Sequence, residues 1–139
     1  MEIGNFDLET KVLIVAEIGN NHEGNFTLAQ ELIGLAKEAG ADAVKFQTFK
    51  PEYISGGDSK RLKRLQGFQF SHSQFQKLVT QASNLGIIFF STPFDLMSAE
   101  FLNKIQPVFK IASSDNDNFQ LIRKIAGFKK PMIVSTGLA

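Results

Sequence analysis

The sequence contains no cysteine and no tryptophan. Without thiols there is no disulfide framework, no thiolate zinc site and no cysteine nucleophile. That fits a reducing compartment. No apolar run approaches the length needed to span a membrane. The first eleven residues, Met1–Lys11, are mixed in character and carry three acids, which is unlike a signal peptide. A cytoplasmic protein is expected. Neither sign of charge dominates: 15 Lys and Arg stand against 14 Asp and Glu, a net charge of +1. Such a balance gives no hint of a nucleic-acid partner. The short runs Lys60-Arg61 and Lys63-Arg64 read as a solvated loop face. There are two histidines, His22 and His72. Neither has a partner at metal-ligand spacing, so no complete metal site is expected from this chain.

What is present is a 139-residue chain, 43% hydrophobic and 21% charged, with fourteen phenylalanines. This reads as one globular domain. The phenylalanines sit mostly in strand-like runs such as Ile87-Ile88-Phe89-Phe90 and read as core. Strands and helices alternate along the chain. Val12–Glu17 is an apolar run that ends in the turn Gly19-Asn20-Asn21. Thr27 can cap a helix through Ala39, with Leu28, Leu32, Leu35, Ala36 and Ala39 on one face and Gly40 past its end. Ala43–Thr48 is a second strand. The segment Phe49–Phe70, with Pro51, Gly56, Gly57 and Gly67, reads as a long connection. A helix over Ser73–Leu85, capped by Ser73, precedes a strand at Ile87–Thr92. A helix over Leu96–Ile105, ended by Pro107, precedes a strand at Val108–Ser113. A helix within Asn118–Gly127 precedes a fifth strand, Met132–Thr136.

These strands are continuous apolar runs, the pattern of parallel strands buried on both faces. Ser91, Ser113 and Ser135 stand 22 residues apart, each at a strand end. One strand, one helix and two short loops need about that length, so the repeat is a βα unit. The first turn, Ile18 to Asn25, is not the glycine-rich fingerprint of an open nucleotide-binding sheet. The expected fold class is α/β, a (β/α)8 barrel of the TIM type with about five of the eight βα units present. Residues 1–139 would then be the N-terminal portion of a barrel that is completed elsewhere.

In a barrel, polar residues at the C-terminal strand ends converge on one mouth. Here these are Glu17, Asn20, Asn21 and His22; Lys45, Gln47 and Thr48; Ser91 and Thr92; Lys110, Ser113, Ser114 and Asp115; and Ser135 and Thr136. Lys45 and Lys110 are the most informative. Each lies inside an apolar strand, where an ammonium group is costly without a partner. The partner is either an anionic substrate or a buried carboxylate such as Glu17. Two cations and several hydroxyls suit a small dianion bearing a carboxylate. Glu17 is a candidate general acid or base, or else the salt-bridge partner of a strand lysine. Thr92, Ser113 and Ser135 either cap the following helices or donate to the anion. No serine sits in a G-x-S-x-G elbow. His22 reads equally as a residue of the mouth and as a loop residue. His72, between Ser71 and Ser73, reads as a surface residue at a helix start.

Five strings in order resemble the sialic acid synthase family. They are Val15-Ala16-Glu17-Ile18-Gly19-Asn20-Asn21-His22-Glu23-Gly24, Glu38 through Thr48 (EAGADAVKFQT), Phe90-Ser91-Thr92-Pro93-Phe94-Asp95, Phe109-Lys110-Ile111-Ala112-Ser113-Ser114-Asp115 and Pro131-Met132-Ile133-Val134-Ser135-Thr136-Gly137. The least similar stretch is Phe49–Phe70. The resemblance implies a barrel enzyme that joins phosphoenolpyruvate to N-acetylmannosamine or a related N-acetylated amino sugar. The product is a nonulosonic acid, and phosphate leaves by C–O cleavage. By motif, Lys45, Lys110, Thr92, Ser113 and Ser135 would hold phosphoenolpyruvate. Glu17 would move a proton, and Gln47 and Asp115 would face the sugar. The family uses a divalent metal, Mn or Mg, to polarise the sugar aldehyde. Its histidine ligands lie on later strands that are not in this chain. The C-terminal antifreeze-like domain of a swapped homodimer is likewise absent, so the chain alone is expected to be inactive or nearly so. Two other readings stand beside this one. The first is a Schiff-base aldolase with Lys45 or Lys110 as the amine. The second is a non-catalytic partial barrel that binds a ligand or another chain through its open edge.

Overall fold

A computed structural model describes residues 1–137. The chain opens with a small antiparallel hairpin, β1 (Glu2–Ile3) and β2 (Phe6–Asp7). Five parallel strands then alternate with helices. They are β3 (Val15–Gly19), β4 (Ala43–Thr48), β5 (Ile88–Pro93), β6 (Phe109–Ile111) and β7 (Met132–Val134). Helix α1 (Phe26–Glu38) links β3 to β4. Helices α2 (Pro51–Ile54), α3 (Ser59–Phe68) and α4 (His72–Leu85) link β4 to β5. Helices α5 (Leu96–Leu102) and α6 (Phe119–Ala126) complete the remaining units.

Strand order distinguishes the two architectures that such units allow. Each strand lies beside its sequence neighbour: β3 pairs β4, β4 pairs β5, β5 lies against β6, and β6 pairs β7. The order never reverses, as it would in a doubly wound sheet. The result is an arc of a TIM-type barrel.

Side-chain alternation sorts this arc into two faces. Val44, Phe46, Phe89, Phe109 and Ile111 point outward and pack on the helices, in one core with Ala29, Ile33, Phe75, Leu78, Leu102, Leu121 and Ile125. Ala43, Phe90 and Val108 point into the barrel and pack with Ile3, with Val15, Ile88 and Ile133 alongside. The N-terminal hairpin, which sequence patterning does not reveal, thus fills the bottom of the lumen. Further along the same inner rows come Glu17, Lys45 and Lys110, level with or above this apolar layer.

Several expected boundaries are corrected. The first strand begins at Val15, not Val12; Val12 and Ile14 are exposed ahead of it. The cap of α1 is Asn25 rather than Thr27, its side chain accepting from the Leu28 amide. The buried stripe of α1 is Ala29, Ile33 and Ala36, whereas Leu35 is 58% exposed and Ala39 lies beyond the helix. Small residues lie on the buried stripe because helix and sheet approach closely there, so the larger leucines mislead the periodicity. Ser71, not Ser73, caps α4, through a reciprocal capping box with Gln74. Helix α5 stops at Leu102, short of Ile105. The segment Phe49–Phe70 holds two helices, and its basic runs lie on α3 as an exposed helical face rather than a loop.

Candidate active site

The period of two along each strand decides which strand-end residues reach the lumen. Lys45 and Gln47 point inward from β4, and Thr92 points inward from β5. Thr48 and Ser91 point outward instead. Their hydroxyls bond each other at 2.7 Å in the buried layer under the helices. Ser91 also exchanges backbone bonds with the Gln106 side chain. Thr48 and Ser91 therefore do not belong to the mouth, contrary to the expectation that every strand-end polar group converges there.

Lys45 donates to the Thr92 hydroxyl at 3.1 Å and forms an ion pair with Glu17 at 2.6 Å. Its side chain is 13% exposed, against 52% for Glu17. Register sets this pair, because Glu17 and Lys45 are direct partners across β3 and β4. Gly19 leaves room beside them: a Cβ there would stand 3.1 Å from Glu17 Oε1 and 3.7 Å from Gln47 Nε2. The Gln47 carbonyl oxygen accepts from Asn20 Nδ2 at 2.8 Å.

Lys110 is held differently. Its ammonium donates to the Ser135 hydroxyl and to the Ile111 carbonyl, both at 2.6 Å. No carboxylate pairs with it among the described residues. Burial pushes its pKa below the ordinary lysine value, and the charge of Lys45 pushes the same way, with Glu17 opposing. The two ammonium groups therefore feel each other, and the one carboxylate that opposes this, Glu17, is paired with Lys45.

Ser113 and Asp115 bound a 3-10 turn directly after β6. The helices that follow β5 and β6 are capped by Asp95 and Asn118, so Thr92 and Ser113 are not their caps. Asp115 accepts from Asn118 Nδ2 and lines a cleft of about 410 Å³ together with Gln47. The same cleft is walled by Phe49, Tyr53, Arg61 and Leu65 from the β4–α4 segment, and by Phe94, Ser114 and Asn118. Tyr53, Arg61 and Asn118 line this cleft and were not among the residues singled out from the sequence as candidate site residues. Their signal was weak, because they lie off the strand ends.

His22 lies outside this site. It is 1% exposed and stacks on Phe70 at 4.2 Å and on Phe46 at 6.0 Å. Its Nδ1 accepts from the Gly24 amide at 3.0 Å. Burial lowers its pKa to about 4. The neutral ring is part of the packing, which makes folding pH-dependent. Between pH 6.5 and about 4 the unfolded chain binds this proton and the folded chain does not. Stability is therefore lost as pH falls through that window, by roughly 3 kcal/mol for a shift of this size. In denaturant titrations at several pH values, His22→Phe should remove about one proton of this dependence. An unchanged slope would contradict the assignment. His72 is exposed at the start of α4 and stacks on Phe101 at 3.7 Å.

Among the described residues, no group of three or more His, Cys, Asp or Glu could hold a metal ion. Glu17 is taken up by Lys45, and both imidazoles lie elsewhere. The residues present do not fit a divalent-metal cage. No helix among them is long and apolar enough to cross a membrane.

Comparison with known proteins agrees with this geometry. The profile of the NeuB family matches residues 32–139, which include Lys45, Gln47, Thr92, Lys110, Ser113, Asp115 and Ser135 but not Glu17. Pseudaminic acid synthase of Campylobacter jejuni is 39% identical over the whole chain, which spans 45% of that protein. Human N-acetylneuraminate-9-phosphate synthase is 36% identical over 90% of the chain, which spans 39% of it. The N-acetylneuraminic acid synthetase of Leptospira borgpetersenii, solved in complex with citrate, superposes with a TM-score of 0.96 at 32% identity. All of this chain and 50% of that one are covered. The chain thus spans about half the length of the relatives it matches, or less. A family profile over most of the chain, and a fold shared with a sialic acid synthetase from end to end, agree with the paired lysines of the lumen: this chain belongs to the NeuB family.

Proposed function

We propose that the chain is the N-terminal portion of a nonulosonic acid synthase and holds phosphoenolpyruvate in its mouth for condensation with an N-acetylated amino sugar. The observation that carries this is Lys110. A half-buried ammonium, met among the described residues by a hydroxyl and a carbonyl and pushed toward neutrality by burial first and by Lys45 second, is costly unless an anion completes it. Two cations and one carboxylate leave the lumen net positive. Thr92 and Ser135 already accept from the ammonium groups, which leaves each O–H to donate to a phosphate or a carboxylate. Ser113 opens the 3-10 turn that follows β6.

In this reading Lys45, Lys110, Thr92, Ser113 and Ser135 orient phosphoenolpyruvate. Gln47 and Asp115 face the sugar, N-acetylmannosamine or a relative. Carbon 3 of phosphoenolpyruvate bonds to the aldehyde carbon, and the aldehyde oxygen takes up a proton. Water adds at carbon 2, and the tetrahedral intermediate expels phosphate as its C–O bond breaks. Glu17, open to the lumen and beside Lys45, is placed to pass a proton to or from the reacting oxygens. A divalent Mn or Mg ion belongs to the family reading and would polarise the aldehyde. Its ligands are not among the described residues, and no step here rests on it. The complete enzyme is read as a cytoplasmic homodimer. The 139-residue chain alone is expected to bind phosphoenolpyruvate without sustained turnover.

The test follows the bridging oxygen. Phosphoenolpyruvate labelled with heavy oxygen in its C–O–P bridge is supplied with amino sugar to a protein carrying this chain within a complete barrel. The label should leave in inorganic phosphate. Label retained in the keto acid would exclude this reading. Borohydride treatment in the presence of a keto acid should leave the mass of the chain unchanged; an adduct on Lys45 or Lys110 would favour the Schiff-base aldolase instead.

A further inference from the structure

A cavity of about 660 Å³ lies outside the barrel, where the end of β4 and the start of α4 meet α5. It is separate from the mouth. Thr48 lines it from the outward row of β4, whereas Lys45 and Gln47 belong to the inward row of the same strand. Most polar groups around the cavity are already committed. Thr48 is bonded to Ser91, and Ser71 and Gln74 close the capping box of α4. The Gln69 amide donates to the Phe49 carbonyl. Asp95 accepts from the Lys50 amide and from both the amide and the hydroxyl of Ser98, so three donors already meet its charge.

Lys50, His72 and Ser73 remain, and each of these side chains offers a donor. No carboxylate lines the cavity, and none pairs with Lys50 or His72 among the described residues. His72 stacks face to face on Phe101 at 3.7 Å, which fixes the plane of its ring and leaves the nitrogens at the edge. Burial lowers its pKa, and the charges of Lys50 and then Lys104 push the same way. Two ammonium groups thus act on one imidazole. Like charges gathered without a counter-charge repel, and an anion relieves them. A phosphate group suits the set, because its oxygens accept from an ammonium, an imidazole N–H and a hydroxyl together. The volume also admits the organic part of a small ester.

We propose that this cavity is a second anion site, in which Lys50, His72 and Ser73 bind a phosphate group, free or carried by a small ester. None of these residues belongs to the lumen site, so the two sites stand or fall separately. Nuclear magnetic resonance of the His72 ring tests it, at fixed pH and ionic strength, with the signal assigned through H72Q. Inorganic phosphate should shift that signal saturably in the wild-type chain. The dissociation constant should be the same in K45A/K110A, which lacks both lumen cations. K50Q should weaken binding about tenfold, the scale of one charge-assisted contact. K60Q, on the exposed face of α3, should leave it unchanged. Circular dichroism checks that each variant is folded, and the K50Q and K60Q pair decides alone if the double variant is not. Glucose 6-phosphate, titrated in parallel, separates the two sources. A tighter affinity than that of inorganic phosphate identifies an ester as the occupant, and an equal or weaker one identifies free phosphate. The absence of a saturable shift, its loss in folded K45A/K110A, or an affinity that survives K50Q or falls equally in K60Q would each overturn the assignment.

Discussion

Replacing Lys45 and Lys110 together by alanine should lower affinity for phosphoenolpyruvate by about three orders of magnitude. A hydrogen bond to a charged group contributes about 1.5–3 kcal/mol, and each 1.4 kcal/mol is tenfold in binding. Either single variant should therefore lose roughly 10- to 100-fold. The two losses should not add simply, because both cations serve one ligand and sense each other. Glu17→Gln should move the other way in binding. Removing the carboxylate that neutralises Lys45 at 2.6 Å leaves a more positive mouth, so affinity should rise severalfold. Turnover by the complete enzyme should fall in the same variant if Glu17 carries the proton. Calorimetric titration at fixed ionic strength, paired with a phosphate-release assay, separates the two effects. A structural salt bridge with no ligand role would instead give Glu17→Gln a folding defect and no gain in affinity.

The second large effect is on folding. Gly24→Ala should destabilise the chain by roughly 3–5 kcal/mol, from a left-handed backbone and a steric clash combined. Gly24 has φ +80°, and a Cβ there would fall 1.9 Å from the Gly67 carbonyl oxygen. Neither partner is a flexible side-chain end, so the backbone must move. The contact joins the turn after β3 to the C-terminal end of α3. The same turn holds His22 against Phe70. The variant should therefore also loosen the helix that bears Arg61. Gly34→Ala is the matched control. Gly34 lies within α1, and a Cβ there meets nothing within 4 Å. It should stabilise by about 0.5–1 kcal/mol. Chemical denaturation of both variants checks the pair, and similar midpoints would refute the packing argument.

Much of this arrangement is legible in the sequence, and the rest has a physical reason for being hidden. Buried parallel strands are continuous apolar runs, so lysines at positions 45 and 110 stand out, and both do enter the lumen. Glu17 does form the salt bridge to Lys45, and among the described residues no carboxylate pairs with Lys110. The regular spacing of Ser91, Ser113 and Ser135 misleads at its first member. Ser91 lies on the outer face of β5, and its neighbour Thr92 takes the inner position. A one-residue step inverts the face of a strand side chain, so spacing between units cannot assign it. His22 belongs to the core because Phe46 and Phe70, from distant segments, stack on it, while the Gly24 amide two residues on donates to its Nδ1. Tyr53 and Arg61 were hidden for a different reason. They occupy short helices in a segment whose glycines and proline suggest a loop. Their place at the cleft depends on how that segment folds back over the end of β4.

The central claim is that the ammonium groups of strands β4 and β6 grip one ligand together. Nuclear magnetic resonance of the chain labelled at lysine Cε tests it directly, with the two signals assigned through Lys45→Arg and Lys110→Arg. On addition of phosphoenolpyruvate both signals should shift with a single dissociation constant, and the resonances of exposed lysines such as Lys60 and Lys63 should stay in place. Saturation with neither signal moving, or with only surface lysines responding, would contradict the account.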